Sequence, residues 1–297
     1  MHSIGFKLIK KKRGAPDILH VHNLITPAIW AHRYSKKNNI PWLLSEHWSG
    51  YTPRSGIFRS KLKWERNLWK WYSEKAEYTI AVSQFLLESL VKNHIGKNHV
   101  IIPNVVEGEV KAIKREDDEI RILNVSDMVD EVKNISGLIA AFSKILPKYP
   151  NARLYLVGGG EDLEKMKSYA AELGLNDQVK FFGRLKNEEV LSIYHEIDFT
   201  VINSRIETFS VVAAESLMAG KPVISTRCGG VQEFITKDQG LLIPVDEEEK
   251  LVQAIEKMIE SHAKYDPFAL ANFAEDRFSA PSVGMALNKV YQSIRHD

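Results

Sequence analysis

The sequence predicts an α/β protein with two domains, each built on a parallel sheet with helices on both faces. Short apolar segments alternate with longer segments of helical periodicity along almost the whole chain, which is typical of parallel strands joined by helices. The length of 297 residues reaches the size, about 250–300 residues, at which single hydrophobic cores stop growing. A stretch rich in Lys, Glu and Asp, at residues 107–119, has the composition of a linker between the two domains.

The strands come from short apolar runs that end in polar turns. The first domain is predicted to hold strands at 18–22, 42–46, 78–82 and 100–102. The second is predicted to hold strands at 120–125, 153–157, 179–182, 199–202, 222–225 and 241–243. Helical periodicity predicts helices between them at 135–146, 163–172, 187–195, 211–219 and 247–261, and a last helix at 278–294.

Composition excludes several classes of protein. A net charge of +2 does not by itself indicate nucleic-acid binding. The single cysteine, Cys228, excludes an internal disulfide framework and is typical of a reducing compartment. The apolar runs are far shorter than the roughly 20 residues that span a bilayer, and residues 1–14 lack the apolar core of a signal peptide. We therefore expect a cytoplasmic protein.

The most informative segment is 202–230, which reads INSRIETFSVVAAESLMAGKPVISTRCGG. Glu207 follows an apolar strand, and Glu215 lies in the next helix among apolar side chains, where a carboxylate is costly unless something donates hydrogen bonds to it. The start of that helix offers backbone N–H groups and a positive dipole end, which suit a phosphate. These groups belong to Thr208, Phe209, Ser210 and Val211. A carboxylate that can accept hydrogen bonds from sugar hydroxyls, next to a site that can bind phosphate, predicts a nucleotide-sugar site.

The spacing of Glu207 and Glu215, followed by AGKPVI and a Gly-Gly pair, resembles the retaining glycosyltransferases of family four, also called glycosyl transferases group 1. The resemblance implies the GT-B fold of two Rossmann-like domains. It places an acceptor-side domain at 1–106, a nucleotide-sugar-binding domain at 107–280, and a C-terminal helix at 281–297 that packs back on the first domain. It also implies a metal-independent hexosyltransferase without a cofactor, which transfers sugar from a nucleotide-diphosphate donor to a glycan or lipid-linked acceptor with retention of configuration.

The resemblance also implies roles for residues of the second domain. Glu215 would bind the ribose hydroxyls, Glu207 would bind the donor sugar, and Lys133 would neutralise the diphosphate. Asp127 stands where the family usually has an arginine, and an acid there repels a diphosphate by about 1 kcal/mol in wet surroundings. Asp127 and Asp130 leave a Mg²⁺ site open as an alternative.

Two turns of the second domain are further candidates for donor binding. Gly158 and Gly160 follow a strand and correspond to family glycines near the nucleotide, but glycines there suit a tight turn equally well. Arg184 and Leu185 lie in a turn whose backbone meets the base in the family. A purely structural turn would explain that segment as well.

In the first domain, His47 follows the strand at 42–46, and the resemblance implies a catalytic position near the donor sugar and the acceptor. His22 and Asn23 are weaker candidates of the same kind. Family members usually carry several strands ahead of the segment PDILHVHN, whereas this chain has only residues 1–15 there. We therefore expect a first domain that is about half complete. The start is then internal to a longer protein, the protein is a natural truncation, or another chain covers the open sheet edge.

Residues 54–78 interleave basic residues with Phe, Leu and Trp. A basic amphipathic helix with several tryptophans suits peripheral contact with the inner face of a membrane. A helix that packs its aromatic rings on the sheet and exposes its lysines fits the same composition. No nucleic-acid motif supports the single-strand binding that aromatic and basic residues also serve.

The sequence thus predicts a retaining glycosyltransferase of polysaccharide biosynthesis. The alternative is a catalytically impaired nucleotide-sugar-binding remnant or subunit, because the first domain is incomplete and Asp127 replaces a cation. A dinucleotide-dependent oxidoreductase would need Gly-x-Gly-x-x-Gly after the first strand, and a serine hydrolase would need a Gly-x-Ser-x-Gly elbow. The sequence has neither motif in that position.

Overall fold

The computed structural model describes residues 11–12, 14–111 and 116–294, so the expectations about residues 1–10, 13, 112–115 and 295–297 lie outside the described part. The described residues form two units. The first holds those up to Pro103 together with those from Gly284 onwards, and the second is Asn104–Val283. Each unit is built on a parallel sheet, which confirms the predicted α/β class.

The first unit contains a four-stranded parallel sheet in the order β1-β2-β3-β4. Leu43 and Leu44 are fully buried and point to opposite faces of the sheet, as expected of a parallel sheet covered on both sides. The strands are β1 (Leu19–His22), β2 (Trp42–Glu46), β3 (Tyr78–Ala81) and β4 (His99–Ile101). The helices that begin in this unit are α1 (Ile25–Asn38), α2 (Ile57–Ser60), α3 (Lys63–Ser73) and α4 (Gln84–Lys92).

An aromatic cluster anchors α2 and α3 in this unit. Its members are Trp48, Tyr51, Phe58 and Trp69, whose ring centroids lie 5.1–6.4 Å apart. Part of the basic aromatic segment therefore packs inward, as one of the two alternatives for residues 54–78 requires. The other aromatic side chains of α3 do not join this cluster.

The second unit contains a six-stranded parallel sheet in the order β10-β9-β8-β5-β6-β7. The strands are β5 (Ile120–Val125), β6 (Ala152–Val157), β7 (Val179–Gly183), β8 (Phe199–Ile202), β9 (Val223–Thr226) and β10 (Gly240–Ile243). The helices are α5 (Asp130–Lys133), α6 (Ile135–Ile145), α7 (Leu163–Glu172), α8 (Asn187–Glu196), α9 (Val211–Met218), α10 (Glu248–Ser261) and α11 (Pro267–Phe278), and α12 (Ala280–Ile294) crosses the division between the units.

The core of the second unit lies on both faces of this sheet. Neighbouring residues Ile122 and Leu123 of β5 are both fully buried, and they belong to different hydrophobic clusters. Ile122 shares a cluster with residues of α6, α7 and α10, whereas Leu123 shares one with residues of α8. The two helical layers that the sequence predicts are therefore present.

The strand order fixes where a ligand can bind in the second unit. From β5 the chain moves outward to β6 and β7, and then returns to β8 on the other side of β5. The chain after β5 and the chain after β8 therefore continue to opposite sides of the sheet, and a crevice lies at the carboxyl ends of these strands, where open α/β sheets bind their ligands. Among the helices of the described ranges, none is long and apolar enough to cross a membrane.

Candidate functional site

The start of α9 lies at this crevice and is shaped by Ser210. Ser210 has a φ of 79° and caps the helix, because its Oγ accepts a hydrogen bond from the backbone N–H of Ala213 at 3.4 Å. Phe209 is buried against Phe234, with ring centroids 5.4 Å apart, so its ring supports the turn rather than faces a ligand. Since Ser210 accepts from the N–H of Ala213, the helical N–H groups without an intrahelical partner are those of Val211 and Val212.

Glu215 lies on α9 and is only 8% exposed. Burial raises the pKa of its carboxyl to about 7; the Tyr194 hydroxyl opposes this shift and the Glu107 carboxylate adds to it. The Tyr194 Oη lies 3.2 Å from Oε2 of Glu215 and 3.2 Å from the carbonyl oxygen of Val212. Burial and the nearby Glu215 also raise the pKa of the Tyr194 phenol well above its ordinary value.

A single hydroxyl cannot satisfy this carboxylate. The Tyr194 proton serves one acceptor at a time, either Val212 or Glu215. A carboxylate offers about four lone-pair positions, so an ionised Glu215 retains acceptor capacity after it accepts the tyrosine proton. The described part of the chain gives Glu215 no lysine or arginine partner. This is the environment of an acid that gains from a ligand with hydroxyls.

Lys133 and Glu207, which the sequence treats as separate candidates, are in direct contact. Lys133 Nζ lies 2.6 Å from Glu207 Oε1, and both side chains are largely buried. Ser204 Oγ donates to the same oxygen at 2.7 Å. The backbone N–H of Glu207 donates to the Cys228 carbonyl at 3.0 Å, which fixes the residue beside β9. The pair therefore presents a cation and an acid at one point of the crevice.

Arg205 holds the loop that carries Lys133, and sequence reasoning did not identify it. Its backbone N–H donates to the Val132 carbonyl at 2.7 Å, and its Nη1 donates to the carbonyls of Asp130 and Glu131 at 2.7 and 3.1 Å. Its Nε pairs with Asp246 at 2.6 Å. The loop after β5 is thus tied to the loop after β8. Its only sequence signal is a basic residue two positions before Glu207.

The glycines after β6 are required by the packing of the neighbouring loop. A Cβ on Gly158, whose φ is 133°, would lie 1.8 Å from the carbonyl oxygen of Ser126. A Cβ on Gly160 would lie 2.5 Å from the carbonyl oxygen of Met128. The close backbone approach supports the structural interpretation of these glycines, and it also places the loop after β6 at the same edge of the sheet as Lys133.

Arg184 supplies a cation next to Asp127. Its Nη2 lies 3.4 Å from Asp127 Oδ1 and 3.2 Å from the Gly159 carbonyl oxygen, and both charged side chains are mostly exposed. The acid that stands in place of the family arginine therefore has an arginine beside it from another loop. Leu185 packs partly buried against the cluster that contains Val190.

The described residues give no support to a metal site at Asp127 and Asp130. Asp130 accepts hydrogen bonds from the backbone N–H and the Oγ of Ser136, at 2.8 and 2.6 Å. No group of three or more His, Cys, Asp or Glu side chains in the described ranges is arranged to hold a metal ion.

The predicted histidines of the first unit lie at the carboxyl ends of β1 and β2. His22 Nδ1 and His47 Nε2 share a hydrogen bond of 3.0 Å. The ring of His20 stacks on His22 at 4.6 Å, and burial together with both neighbouring histidines lowers the pKa of His20 to about 4. Buried Glu46, which sequence reasoning did not single out, accepts a 2.7 Å hydrogen bond from the backbone N–H of Leu24, and burial raises its pKa to about 7.

A pocket of about 270 Å³ opens beside these histidines within the first unit. Aromatic and apolar side chains form most of its lining, and the imidazole of His47 and the carboxyl of Glu46 add polar groups. The lining residues are Asn23, Leu24, Ile25, Glu46, His47, Trp48 and Tyr51. His47 and Asn23 thus line one pocket. His22 is not part of the lining but shares a hydrogen bond with His47.

Comparisons with known protein families cover both units of the chain. The family described as glycosyl transferases group 1 matches residues 106–271, and the family described as glycosyltransferase family 4 matches residues 5–109. An uncharacterized glycosyltransferase of Methanocaldococcus jannaschii is 26% identical over 99% of this chain and 79% of its own length. Five other curated relatives are covered over 28–44% of their own length, and two more are covered over 61% and 70%.

Solved structures show the same fold. Sucrose-phosphate synthase from Thermosynechococcus elongatus has a TM-score of 0.83 and 22% identity, over 98% of this chain and 77% of that one. The Anabaena protein HepE, solved in complex with UDP and glucose, has a TM-score of 0.81 and 18% identity, over 98% of this chain and 81% of that one. Since the family match covers more than half of the sequence, this chain belongs to the glycosyl transferases group 1 and has the GT-B fold.

Proposed function

We propose that this chain transfers a hexosyl group from a nucleotide-diphosphate sugar to a hydroxyl of a glycan or lipid-linked acceptor, with retention of configuration. The observation that carries the proposal is the environment of Glu215. This acid is buried beside the start of α9, its pKa is raised to about 7, and one tyrosine hydroxyl is its partner among the described residues. A ribose supplies the two adjacent hydroxyls that such a carboxylate lacks.

The charged groups of the crevice suit the rest of the donor. Two helical N–H groups at the start of α9, together with Lys133, would bind the diphosphate, and exposed Arg184 would add a cation that offsets Asp127. These groups would stabilise the negative charge that grows on the leaving diphosphate, as preorganised dipoles and cations do in other enzymes. Glu207 would accept hydrogen bonds from the sugar while it keeps Lys133 in place.

We propose that retention does not use Glu207 as a covalent nucleophile. Its Oε1 accepts hydrogen bonds from both Lys133 and Ser204, so it is better placed to orient the sugar than to attack it. We propose attack from the face that the diphosphate leaves. The bond between the anomeric carbon and the phosphate oxygen breaks, the bond to the acceptor oxygen forms on the same face, and the acceptor proton passes to the departing phosphate.

The first unit is proposed to bind the acceptor in the pocket that His47 and Trp48 line. Its aromatic rings suit the apolar face of a sugar ring, and His47 would orient the acceptor hydroxyl. We further propose that the protein works in the cytoplasm, at the inner face of a membrane that residues 54–78 contact.

Titration calorimetry with UDP-sugars and GDP-sugars tests the proposal. We expect wild-type protein to bind one class of donor, Glu215→Ala to lose at least tenfold in affinity, and the exposed glutamate variant Glu172→Ala to bind as wild type does. Equal affinities in wild type and Glu215→Ala would refute the assignment of the donor site. Donor binding without release of nucleoside diphosphate in any acceptor screen would instead identify the impaired binding remnant.

A further inference from the structure

Helix α3 has two apolar faces. One face is turned inward and carries Trp69, which belongs to the aromatic cluster, and fully buried Ser73. The other carries Trp64, Leu68 and Trp71, which recur at i, i+4 and i+7 and therefore form one narrow stripe along the helix. Their side chains are 64%, 40% and 46% exposed. We call these three residues the outer stripe.

Among the described residues, the core of the first unit leaves the outer stripe partly exposed, because α3 turns its opposite face to that core. The helix is held by Trp69, whose ring lies 5.7 Å from Trp48 and 5.7 Å from Phe58. Leu62, directly ahead of the helix, is 62% exposed and extends the apolar surface. Contiguous apolar surface of this kind on a folded protein marks a site of interaction.

The surroundings of the outer stripe are strongly basic. Residues 54–75 hold seven lysines and arginines and two glutamates, a local charge of +5, whereas the whole chain has a charge of +2. Lys75 Nζ lies 4.9 Å from the ring centroid of Trp71. His32 packs edge-on against Trp71. Its pKa is lowered mainly by partial burial and further by the nearby Lys75 and Lys36. The electrostatic potential at this surface is therefore positive.

We infer that the outer stripe inserts into the interface of an anionic lipid bilayer while the surrounding lysines and arginines contact the lipid phosphates. Tryptophan favours the depth of the lipid headgroups, and an amphipathic helix with basic flanks lies in the plane of the interface. Each basic residue near an anionic surface adds about fivefold to binding. This inference deepens the proposed membrane contact and is independent of the transfer reaction, because binding to lipid is measured without donor.

The composition of the surface favours lipid over a protein or a nucleic acid. Protein interfaces are depleted of lysine, whereas lysine surrounds the outer stripe. Single-stranded nucleic acid is bound in a basic groove whose aromatic rings stack on the bases. The outer stripe instead lies along the exposed face of one helix and includes Leu68, which offers no ring for stacking.

Vesicle flotation of the full chain tests the inference, with vesicles of phosphatidylcholine alone and of phosphatidylcholine with about one third phosphatidylglycerol. We expect binding to the anionic vesicles, which weakens as salt rises because screening shortens the reach of the charges. Trp64→Ala and Leu68→Ser should each reduce binding roughly tenfold, since each removes one inserted apolar side chain. Phe268→Ala is the matched control, because Phe268 is 66% exposed but lies on α11 in the second unit, and it should bind as wild type does.

Far-ultraviolet circular dichroism and thermal melting establish that each variant is folded, and the exposed positions make loss of fold unexpected. Three results would overturn the inference: no binding to anionic vesicles, undiminished binding of both stripe variants, or equal loss in Phe268→Ala. Tighter binding of a single-stranded oligonucleotide than of the anionic vesicles would assign the surface to nucleic acid instead. Loss of donor binding in a Glu215 variant would leave the lipid result unchanged, so the two proposals fail separately.

Discussion

Donor affinity should depend on pH through Glu215. In the unliganded protein its pKa is raised to about 7 from an ordinary 4.5, and burial is the main cause. Ribose hydroxyls would donate to the ionised carboxylate and so lower its pKa in the complex. Donor affinity is then highest above pH 7 and falls as the pH is lowered, because the protonated acid must lose its proton before it can accept both hydrogen bonds.

The size of the effect follows from the shift. If the donor returns the Glu215 pKa to near its ordinary range, affinity should fall about tenfold between pH 8 and pH 6, with close to one proton released on binding at pH 6. Titration calorimetry with a UDP-sugar or GDP-sugar measures both quantities when it is repeated in buffers of different ionisation heat. Nucleotide-diphosphate sugars are the proper ligands, because both of their phosphates are esterified and neither titrates near neutral pH.

The matched variant is Glu215→Gln, which keeps the shape and removes the titration. Its donor affinity should be weaker than that of wild type at pH 8 and should not vary between pH 6 and pH 8. An affinity of wild type that is independent of pH, or that rises toward pH 6, would refute the reasoning. The titration is repeated at two ionic strengths, because salt cations that screen Glu215 could also change the measured donor affinity.

Glu215→Gln should weaken donor binding at pH 8, but at the same pH it should raise the stability of the fold. A carboxyl whose folded pKa lies above its unfolded pKa stabilises the fold in its protonated form, and this contribution is lost as the pH rises from about 4.5 to about 7. Full ionisation of Glu215 at pH 8 then costs at most about 3 kcal/mol. We expect Glu215→Gln to unfold at higher urea than wild type at pH 8 and at a similar concentration at pH 5. A lower midpoint at pH 8 would contradict the cost of burial.

Three more predictions test the crevice. Lys133→Met removes the cation from the largely buried Glu207 pair and should reduce donor affinity at least tenfold by calorimetry, so normal affinity would exclude Lys133 from the donor site. Gly158→Ala should destabilise the protein by about 2–4 kcal/mol in urea unfolding, because its Cβ would overlap a backbone carbonyl, whereas Gly159→Ala meets only the flexible side chain of Arg184; equal losses would contradict this. Arg184→Gln should change stability by less than about 0.5 kcal/mol, since its ion pair is exposed, but should weaken donor binding a few-fold; a loss of stability with unchanged affinity would make Arg184 structural.

The sheet framework could be predicted because parallel strands buried on both faces are continuous apolar runs. The predicted strand at 199–202 and the predicted helix at 211–219 match β8 and α9 to within one residue. Gly220 follows this helix with a φ of 74°, a left-handed conformation that favours glycine at a helix end. Helix α11 was not among the predicted helices, although Asp266 caps it and Pro267 occupies its first turn, and both are helix-start signals.

Side-chain partners could not be predicted, because they join residues far apart in the sequence. The bond between Tyr194 and Glu215 connects two helices, and nothing in the apolar periodicity of α8 distinguishes this tyrosine from a core residue. The contact between Lys133 and Glu207 spans 74 positions. The sequence identifies the chemical groups of the crevice, whereas their pairing depends on how the loops after β5 and β8 meet.

The ties of Arg205 have a consequence for how a substrate is captured. A loop that is ordered only when its ligand arrives loses conformational freedom at that moment, and the affinity drops by the corresponding free energy. The segment that carries Lys133 is already fastened through the Asp130 and Glu131 carbonyls, with Asp246 holding the guanidinium from the other side. Under the proposed function, an incoming sugar nucleotide would meet a loop that is already fastened, and less of the binding free energy would be lost in ordering it.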